Sequence, residues 1–198
     1  AADVAQVIEV GGVRLGLLIC EDAWVSQPAL RAKAAGAQAL VVVNASPFVL
    51  GKPQQRAQVI AARAQETGLP IVYAHMVGGQ DELVFDGHSM AVQATGELAA
   101  LAPGFESLLW PVQLQAAAAG AALQWQSQAP APDWAAPEHQ AWPQIWQALV
   151  LATRDYVQKN GFKHVLLGLS GGLDSALVLA IAVDALGADK VRAVMMPS

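Results

Sequence analysis

Two short stretches hold residues whose types and spacing could do chemistry. In the first, the apolar run Val13 to Ile19 (VRLGLLI) ends at Cys20, and Glu21, Asp22 and Trp24 follow at once. A thiol at a strand end is fixed by the strand and exposed by the turn after it. N–H groups at the start of such a turn stabilise a thiolate, and that of Glu21 is a candidate oxyanion donor if the sulfur attacks a carbonyl. A buried, inert cysteine is the plainer alternative, since free Cys is among the most buried residue types. The second stretch, His164 to Ala176, reads HVLLGLSGGLDSA. Its Ser170-Gly171-Gly172-Leu173-Asp174-Ser175 loop joins an apolar strand (Val165 to Leu169) to a helix beginning near Asp174.

A strand-to-helix turn of that kind leaves backbone N–H groups unpaired at the positive end of a helix dipole, which favours an anion, and phosphate is the natural occupant. Gly171 and Gly172 are expected to take positive φ and to let oxygens approach the main chain. Ser170 and Ser175 add hydroxyls, and Asp174 suggests a carboxylate near a bridging Mg²⁺. The loop lacks the GK[ST] ending of a Walker motif, so ordinary P-loop chemistry is not indicated. Ser, Gly and Asp could also make a bare turn and cap, but the flanking strand and helix favour phosphate binding.

The elements that position these groups follow from periodicity and punctuation. Pro28 to Ala35 reads as a short helix closed by Gly36, and Leu40 to Val43 as a buried strand leading into Asn44-Ala45-Ser46-Pro47-Phe48. Gln55 to Glu66 reads as a helix stopped by Gly68 and Pro70, and Ile71 to Ala74 as a third strand. Strand, helix, strand, helix, strand argues a layered α/β domain. The stretch to Ala102 is turn-rich, with a hairpin across Thr95-Gly96. From Trp110 to Pro137 the composition shifts to Ala, Gln and Pro, which reads as a linker with a possible short helix over Ala116 to Leu123. Pro143 to Lys159 then reads as a helix with Ile145, Leu149, Ala152 and Tyr156 on one stripe, and Val191 to Met195 as a last strand.

Composition bounds the rest. The 198 residues suffice for one large or two small domains. A net charge of −5 lacks the electrostatic footprint of a nucleic-acid binder, and no apolar run approaches the roughly 18 residues of a membrane span. A single cysteine excludes an internal disulfide framework and fits a reducing cytoplasm. The start shows no charged segment followed by an apolar one, so no secretory signal is expected. His75 and His88 stand thirteen apart with no second Cys, so no metal site is expected from them. Asp22, Asp81 and Asp86 read as turn or cap carboxylates.

The loop SGGLDS resembles the SGGxDS pyrophosphate-binding loop of the ATP pyrophosphatases, which activate a carboxylate or carbonyl with AMP. GLLICEDAW, LVVVNASPF with Gly51-Lys52, and PIVYAHMVGGQDELVFDGHS resemble the carbon–nitrogen hydrolase (nitrilase-like) glutaminase domain of glutamine-dependent NAD synthetases, over roughly Val13 to Trp110. ALVLATRDYVQKNGFK resembles the helix that opens the synthetase domain of that family. The resemblance implies the C-terminal part of a nitrilase-like αββα sandwich over residues 1–111, a linker over 112–137, and the start of a Rossmann-like parallel α/β synthetase domain over 138–198. Other glutamine-using enzymes with this loop carry different glutaminases, so the order of the two motifs is itself discriminating.

In that family a Glu–Lys–Cys triad hydrolyses glutamine. The resemblance makes Cys20 the nucleophile, places Glu21, Ser46 and Lys52 at glutamine-binding positions, and places Gly168, Leu169, Ser170, Gly171, Gly172, Leu173, Asp174 and Ser175 at the ATP. It implies no protein-held metal centre, but ATP and Mg²⁺ as cofactors. The implied activity is amidation of deamido-NAD with ammonia from glutamine, releasing AMP, pyrophosphate and glutamate. It further implies a cytoplasmic homo-oligomer with neither nucleic acid nor membrane as partner. The family's Glu and Lys precede its cysteine, and neither Glu9, close before Cys20, nor Lys33, after it, fits. A stand-alone nitrilase-type amidase and a non-catalytic fragment of the synthetase are the alternatives.

Overall fold

The computed structural model describes residues 4–116, 123–126 and 133–196. Strand β1 (Gln6–Val10) runs into β2 (Val13–Ile19), then come helix α1 (Ser26–Ala34), β3 (Ala39–Asn44), helix α2 (Lys52–Thr67) and β4 (Ile71–His75). A hairpin of β5 (Val77–Gln80) and β6 (Leu83–Asp86) follows, and a second of β7 (Met90–Val92) and β8 (Leu98–Leu101). The main sheet has the order β1-β2-β3-β4-β7-β8, parallel through β2, β3 and β4 and antiparallel outside them. The α/β layering expected from the apolar runs and their Gly and Pro stops is present.

Period-two alternation decides which side chains meet. Leu18, Leu40, Val42, Ile71 and Tyr73 point to one face and pack with Ala29 and Ala32 of α1 and Ile60 and Ala64 of α2. The other face differs along its width. At the β4-β7-β8 end, Val72, Ala91 and Ala100 lie under Trp125. At the β1-β2-β3 end, Ile8, Leu17, Ile19 and Val43 are exposed.

Residues 113–116 (β9, Gln113–Ala116) and 123–126 (β10, Leu123–Gln126) pair as an antiparallel ribbon within the stretch that composition marks as a linker. Trp125 holds them to the sheet, and Gln93 makes two hydrogen bonds to the Trp125 main chain, each 2.9 Å. The short helix expected near here falls mostly on residues 117–122, outside the described residues.

Helix α3 (Ala141–Lys159) carries the chain into β11 (Val165–Leu169), α4 (Leu173–Leu186) and β12 (Val191–Met195). β11 and β12 pair in parallel with α4 as the crossover. The apolar stripe of α3 differs in phase from the expected one. Gln144, Ala148, Leu151 and Val157 are its buried residues, whereas Leu149 and Tyr156 are exposed. The helix is apolar on more than one side because it packs in two directions: Ala148 and Leu151 meet Phe105, and Val157 meets Ala185 and Leu186 of α4. A single-stripe pattern cannot register that.

The α3 contact to the first layer is close. A Cβ at Gly79 would stand 3.1 Å from the Ala152 Cα. The Gly79 N–H donates to Asp155 Oδ2 at 2.8 Å, and Lys159 Nζ donates to the Gly79 carbonyl. Gly79→Val should therefore lift α3 off the hairpin and cost about 1–3 kcal/mol, read as a lower urea midpoint with an unchanged slope. A midpoint equal to that of the unaltered protein would show that the contact contributes nothing.

Candidate functional site

The parallel strands β2, β3 and β4 end side by side. Ile19 lies opposite Val43, Val43 opposite Ala74, and Asn44 opposite His75. Cys20, Ser46 and His75 thus gather at the carboxyl edge of the parallel strands, where open α/β sheets hold their ligands.

Cys20 opens a single 3-10 turn, Cys20–Ala23, and its φ is +47°, in the left-handed region that non-glycine residues rarely adopt. Asp22 Oδ2 accepts from the Ile19 N–H at 3.0 Å and Trp24 N–H donates to the Glu21 carbonyl at 3.0 Å, which hold the turn closed around the thiol. The capping role expected of Asp22 is what it performs. Cys20 is half-buried and is a free thiol, while Glu21 projects into solvent. The first N–H groups of such a turn find no carbonyl within it.

Ser46 lies on the loop between β3 and α2, and Lys52 follows that loop. Lys52 is the first residue of α2, after Gly51 at φ +79°, and its Nζ stands 4.3 Å from the centroid of the Trp24 ring. That contact brings an ammonium to the turn carrying Cys20. The Phe48 N–H donates to the Val84 carbonyl and its ring meets Phe105 edge-on at 5.4 Å, fixing the middle of the loop.

Beneath the loop lies a polar network that sequence reasoning did not find. Arg56 of α2 pairs with Asp86 of β6, both buried, and His88 Nδ1 stands 2.9 Å from the same Asp86 oxygen. Arg56 Nη1 reaches Ser46 Oγ at 3.2 Å and His75 Nε2 at 3.0 Å, and Asn44 Nδ2 reaches Ser46 Oγ at 3.1 Å. Trp134, from within the linker-like stretch, and His139, just after it, roof His88 with ring centroids 6.3 and 5.7 Å away. Asp86 is thus no turn carboxylate: it neutralises a buried guanidinium. The signal was present in α2, whose buried positions Pro53, Arg56, Ile60, Ala64 and Thr67 follow helical spacing and put an arginine on the core stripe.

Burial and Arg56 together push His75 down to about 4, so it is neutral at ordinary pH. Burial alone would raise Asp86, but the His88 hydrogen bond and the Arg56 guanidinium outweigh it and hold the carboxyl below its usual range. Burial raises the Tyr73 hydroxyl, opposed by Arg56 and, more weakly, by the Ser46 hydroxyl, while Cys20 adds to the rise. Among the described residues no group of three His, Cys, Asp or Glu could hold a metal ion.

The second set of residues gathers around the start of α4. Gly171 has φ +82° as expected, whereas Gly172 has φ −85° and ψ 160°, ordinary extended backbone. The expectation of positive φ at Gly172 is corrected: this residue caps α4 at its start, and a Cβ there would meet only Ser170 Oγ, at 3.6 Å. Ser175 Oγ donates to the Gly172 carbonyl at 2.9 Å and lies 3.3 Å from Ser170 Oγ. Leu173 and Asp174 are exposed on the first turn of α4, and Gly168 and Leu169 end β11 in register with Val194 and Met195. Among the described residues no hydrogen bond or ion pair joins this loop to Cys20, Ser46 or Lys52. Glu9, exposed on β1, and Lys33, exposed on α1, lie outside both sets.

The His75 value fixes a sign for acid sensitivity. Its folded pKa, about 4, lies below its ordinary 6.5, so between those values the unfolded chain binds the extra proton and stability falls as pH falls. Arg56 from α2 opposes the proton, while Asp86 from β6 favours it. Between pH 7 and 5 the loss should be about 2 kcal/mol, read from urea midpoints, and His75→Gln should flatten it. A midpoint independent of pH in that window would contradict the burial of a neutral His75.

Residues 2–123 match the family described as carbon–nitrogen hydrolase, and residues 145–198 match NAD synthase. The chain is 47% identical over 195 residues to a glutamine-dependent NAD(+) synthetase of Rhodobacter capsulatus, a match covering 98% of this chain and 34% of that protein. A protein of the same name from Acinetobacter baylyi is 44% identical over 96% of this chain and 34% of its own length. The structure of glutamine-dependent NAD+ synthetase from Acinetobacter baumannii in complex with ADP superposes with a TM-score of 0.85 at 42% identity, over 99% of this chain and 36% of that one. The chain therefore spans about a third of the length of these relatives. Together with a cysteine at the end of a central parallel strand and a Ser-Gly-Gly loop before α4, these matches show that the chain belongs to the carbon–nitrogen hydrolase family, joined at its C-terminal side to an NAD synthase segment.

Proposed function

We propose that these residues serve a glutamine-dependent NAD synthetase, in which ammonia released from glutamine amidates deamido-NAD at the expense of ATP, yielding NAD, AMP, pyrophosphate and glutamate. The observation that carries the reading is the pairing, in one chain, of a strained Cys20 at the carboxyl edge of a parallel sheet with an SGGLDS loop opening a helix.

Cys20 attacks the glutamine amide carbon, its sulfur forming a thioester as the C–N bond breaks and ammonia leaves; water then cleaves the thioester to glutamate. The Glu21 N–H, next to Cys20 in the turn, donates to the oxyanion. Lys52, held over Trp24, and the Ser46 loop receive the substrate's own charged groups. The resemblance assigns the general acid–base Glu and a further Lys to positions before the cysteine, roles that neither Glu9, exposed on β1, nor Lys33, exposed on α1, is assigned.

In the second site the N–H groups at the start of α4, with Ser170 and Ser175, hold the phosphates of ATP as the nicotinate carboxylate attacks the α-phosphorus and the bond from that phosphorus to the departing pyrophosphate breaks, leaving the adenylated carboxylate. Asp174, exposed on the first turn, would hold Mg²⁺ together with phosphate oxygens, and the ion would supply charge neutralisation at the leaving group. Ammonia then displaces AMP. Among the described residues no helix is long and apolar enough to cross a membrane. The reading places the enzyme in the reducing cytoplasm, where a free Cys20 thiol persists, and in an assembly of several copies.

The test is transfer of ¹⁵N from amide-labelled glutamine into NAD, with ATP, Mg²⁺ and deamido-NAD supplied to a polypeptide of the relatives' full length carrying these residues. Cys20→Ala should reduce the label by at least about a thousandfold while synthesis from free ammonia persists. Label retained in that variant would remove Cys20 from the chemistry. Gly172→Ala leaves the backbone unstrained but puts a methyl group where phosphate oxygens approach, so it should raise KM for ATP by about tenfold or more and spare glutamine hydrolysis. Equal loss of both activities would break the proposed division of labour.

A further inference from the structure

We propose that Trp24 is a positioning residue for glutamine capture: its ring holds the Lys52 ammonium beside the Cys20 turn without cancelling its charge, which is left for the carboxylate of glutamine. The proposal rests on the reading that Lys52 lies at the glutamine site.

Lys52 stands where a cation gains little from the fold. It is the first residue of α2, at the positive end of the helix dipole, and the first turn of that helix contains no acid. Among the described residues Lys52 belongs to no ion pair. Two carboxylates lie just before Trp24 in sequence, but Glu21 is exposed and Asp22 is committed to the Ile19 N–H at 3.0 Å. The ammonium lies instead over the Trp24 ring, with Nζ 4.3 Å from the centroid. An aromatic face attracts a cation through its quadrupole and carries no net charge. Lys159 shows the contrast: it pairs with Asp155 at 3.3 Å and donates to the Gly79 carbonyl. That lysine is committed to structure, whereas Lys52 is held and still carries its full charge.

The ring is fixed by the same turn as the thiol. Trp24 closes the Cys20–Ala23 turn with φ −78° and ψ −18°, its N–H donates to the Glu21 carbonyl at 3.0 Å, and Ala23 before it is buried. Lys52 hangs from a different element, α2, on a flexible four-carbon stem. The ring therefore places the ammonium relative to Cys20 from the β2 side and orders it before substrate arrives, which lowers the ordering cost of binding. Free glutamine has one carboxylate and one side-chain amide: the thiol takes the amide and the ammonium takes the carboxylate. An acidic side chain in place of Trp24 would also order Lys52, but it would cancel the charge that the substrate needs.

The experiment uses the polypeptide of the relatives' full length, with glutamine-dependent synthesis as the activity and ammonia-dependent synthesis as the measure of an intact fold. If the unaltered protein uses no glutamine, or if Lys52→Met leaves KM for glutamine unchanged, the reading of Lys52 falls and this proposal with it. Trp24→Leu should raise KM for glutamine by about fivefold and change kcat by less than about threefold, with ammonia-dependent synthesis within about twofold. Trp24→Tyr keeps an aromatic face and should restore KM to within about twofold. Trp24→Glu should have a KM about fivefold or more above that of Trp24→Gln, because an ion pair takes up the charge meant for the substrate. Trp24→Leu combined with Lys52→Met should be no worse than Lys52→Met alone, because the ring acts through the ammonium. A normal KM in Trp24→Leu beside a raised one in Lys52→Met would overturn the positioning role and leave Lys52 at the glutamine site. So would a KM in Trp24→Glu no higher than in Trp24→Gln, effects that multiply in the double variant, or loss of ammonia-dependent synthesis in both Trp24→Leu and Trp24→Tyr.

Discussion

The buried Arg56–Asp86 ion pair is the constraint on which the rest of the site depends. Two charges removed from water cost several kcal/mol each in solvation, and their attraction offsets that only when the remaining hydrogen-bonding positions are also occupied. Here the guanidinium turns Nη1 to Ser46 and His75, and the carboxylate takes His88 on the oxygen that faces Arg56, while Arg56 Nε and the other Asp86 oxygen are buried without a hydrogen-bond partner among the described residues, so the offset is incomplete. Loss of one charge would leave the other buried and unpaired, at a cost of about 3–5 kcal/mol. The pair therefore specifies geometry more than it adds stability: helix α2, the ends of β3 and β4, and the β5–β6 hairpin have one arrangement in which the charges meet.

That arrangement reaches the second layer through the hairpin. Its start follows His75 and its end carries Asp86, and between them Gly79 is held by Asp155 and Lys159 of α3. The opposite side of α3 packs on α4, where Trp146 donates to Asp184 at 2.9 Å. The helix with the phosphate-type loop at its start is thus built onto the element that braces the Cys20 side. The two sites share a design: an apolar parallel strand ends, the backbone turns through a left-handed residue, Cys20 in one and Gly171 in the other, and N–H groups are left free at the turn. For glycine that conformation is nearly free of strain. For Cys20 it is strained and is held by the Asp22 cap and the strand before it.

Much of this was legible in the residues. The apolar runs of β2, β3, β4, β11 and β12 and the Gly and Pro stops around α1 and α2 determine an α/β architecture, because parallel strands carry near-continuous apolar runs and a helix a periodic one. The SGGLDS loop was readable for the same reason: its meaning depends on neighbours in sequence, a strand before and a helix after. Short strands were less visible. β5, β9 and β10 are four residues each and rich in Gly or Gln, so their place is set by partners distant in the chain, such as Trp125 over Ala91 and Ala100.

What tertiary structure alone decided is which polar side chains leave water together. His75 and His88 look like a sparse pair, Arg56 like a surface helix residue and Asp86 like a turn carboxylate until β4, β6 and α2 converge on one point. The burial phase of α3 belongs to the same class, since it faces two layers and its sequence pattern records their sum. Local periodicity encodes elements because each residue's neighbours in the chain are also its neighbours in space. The ionic centre joins residues up to thirty positions apart, and no local pattern specifies it. By itself the sequence determined the elements, the cysteine at a strand end and the phosphate-type loop; the fold decided the buried charge network that holds Ser46, because desolvation acts only on groups that packing has brought together.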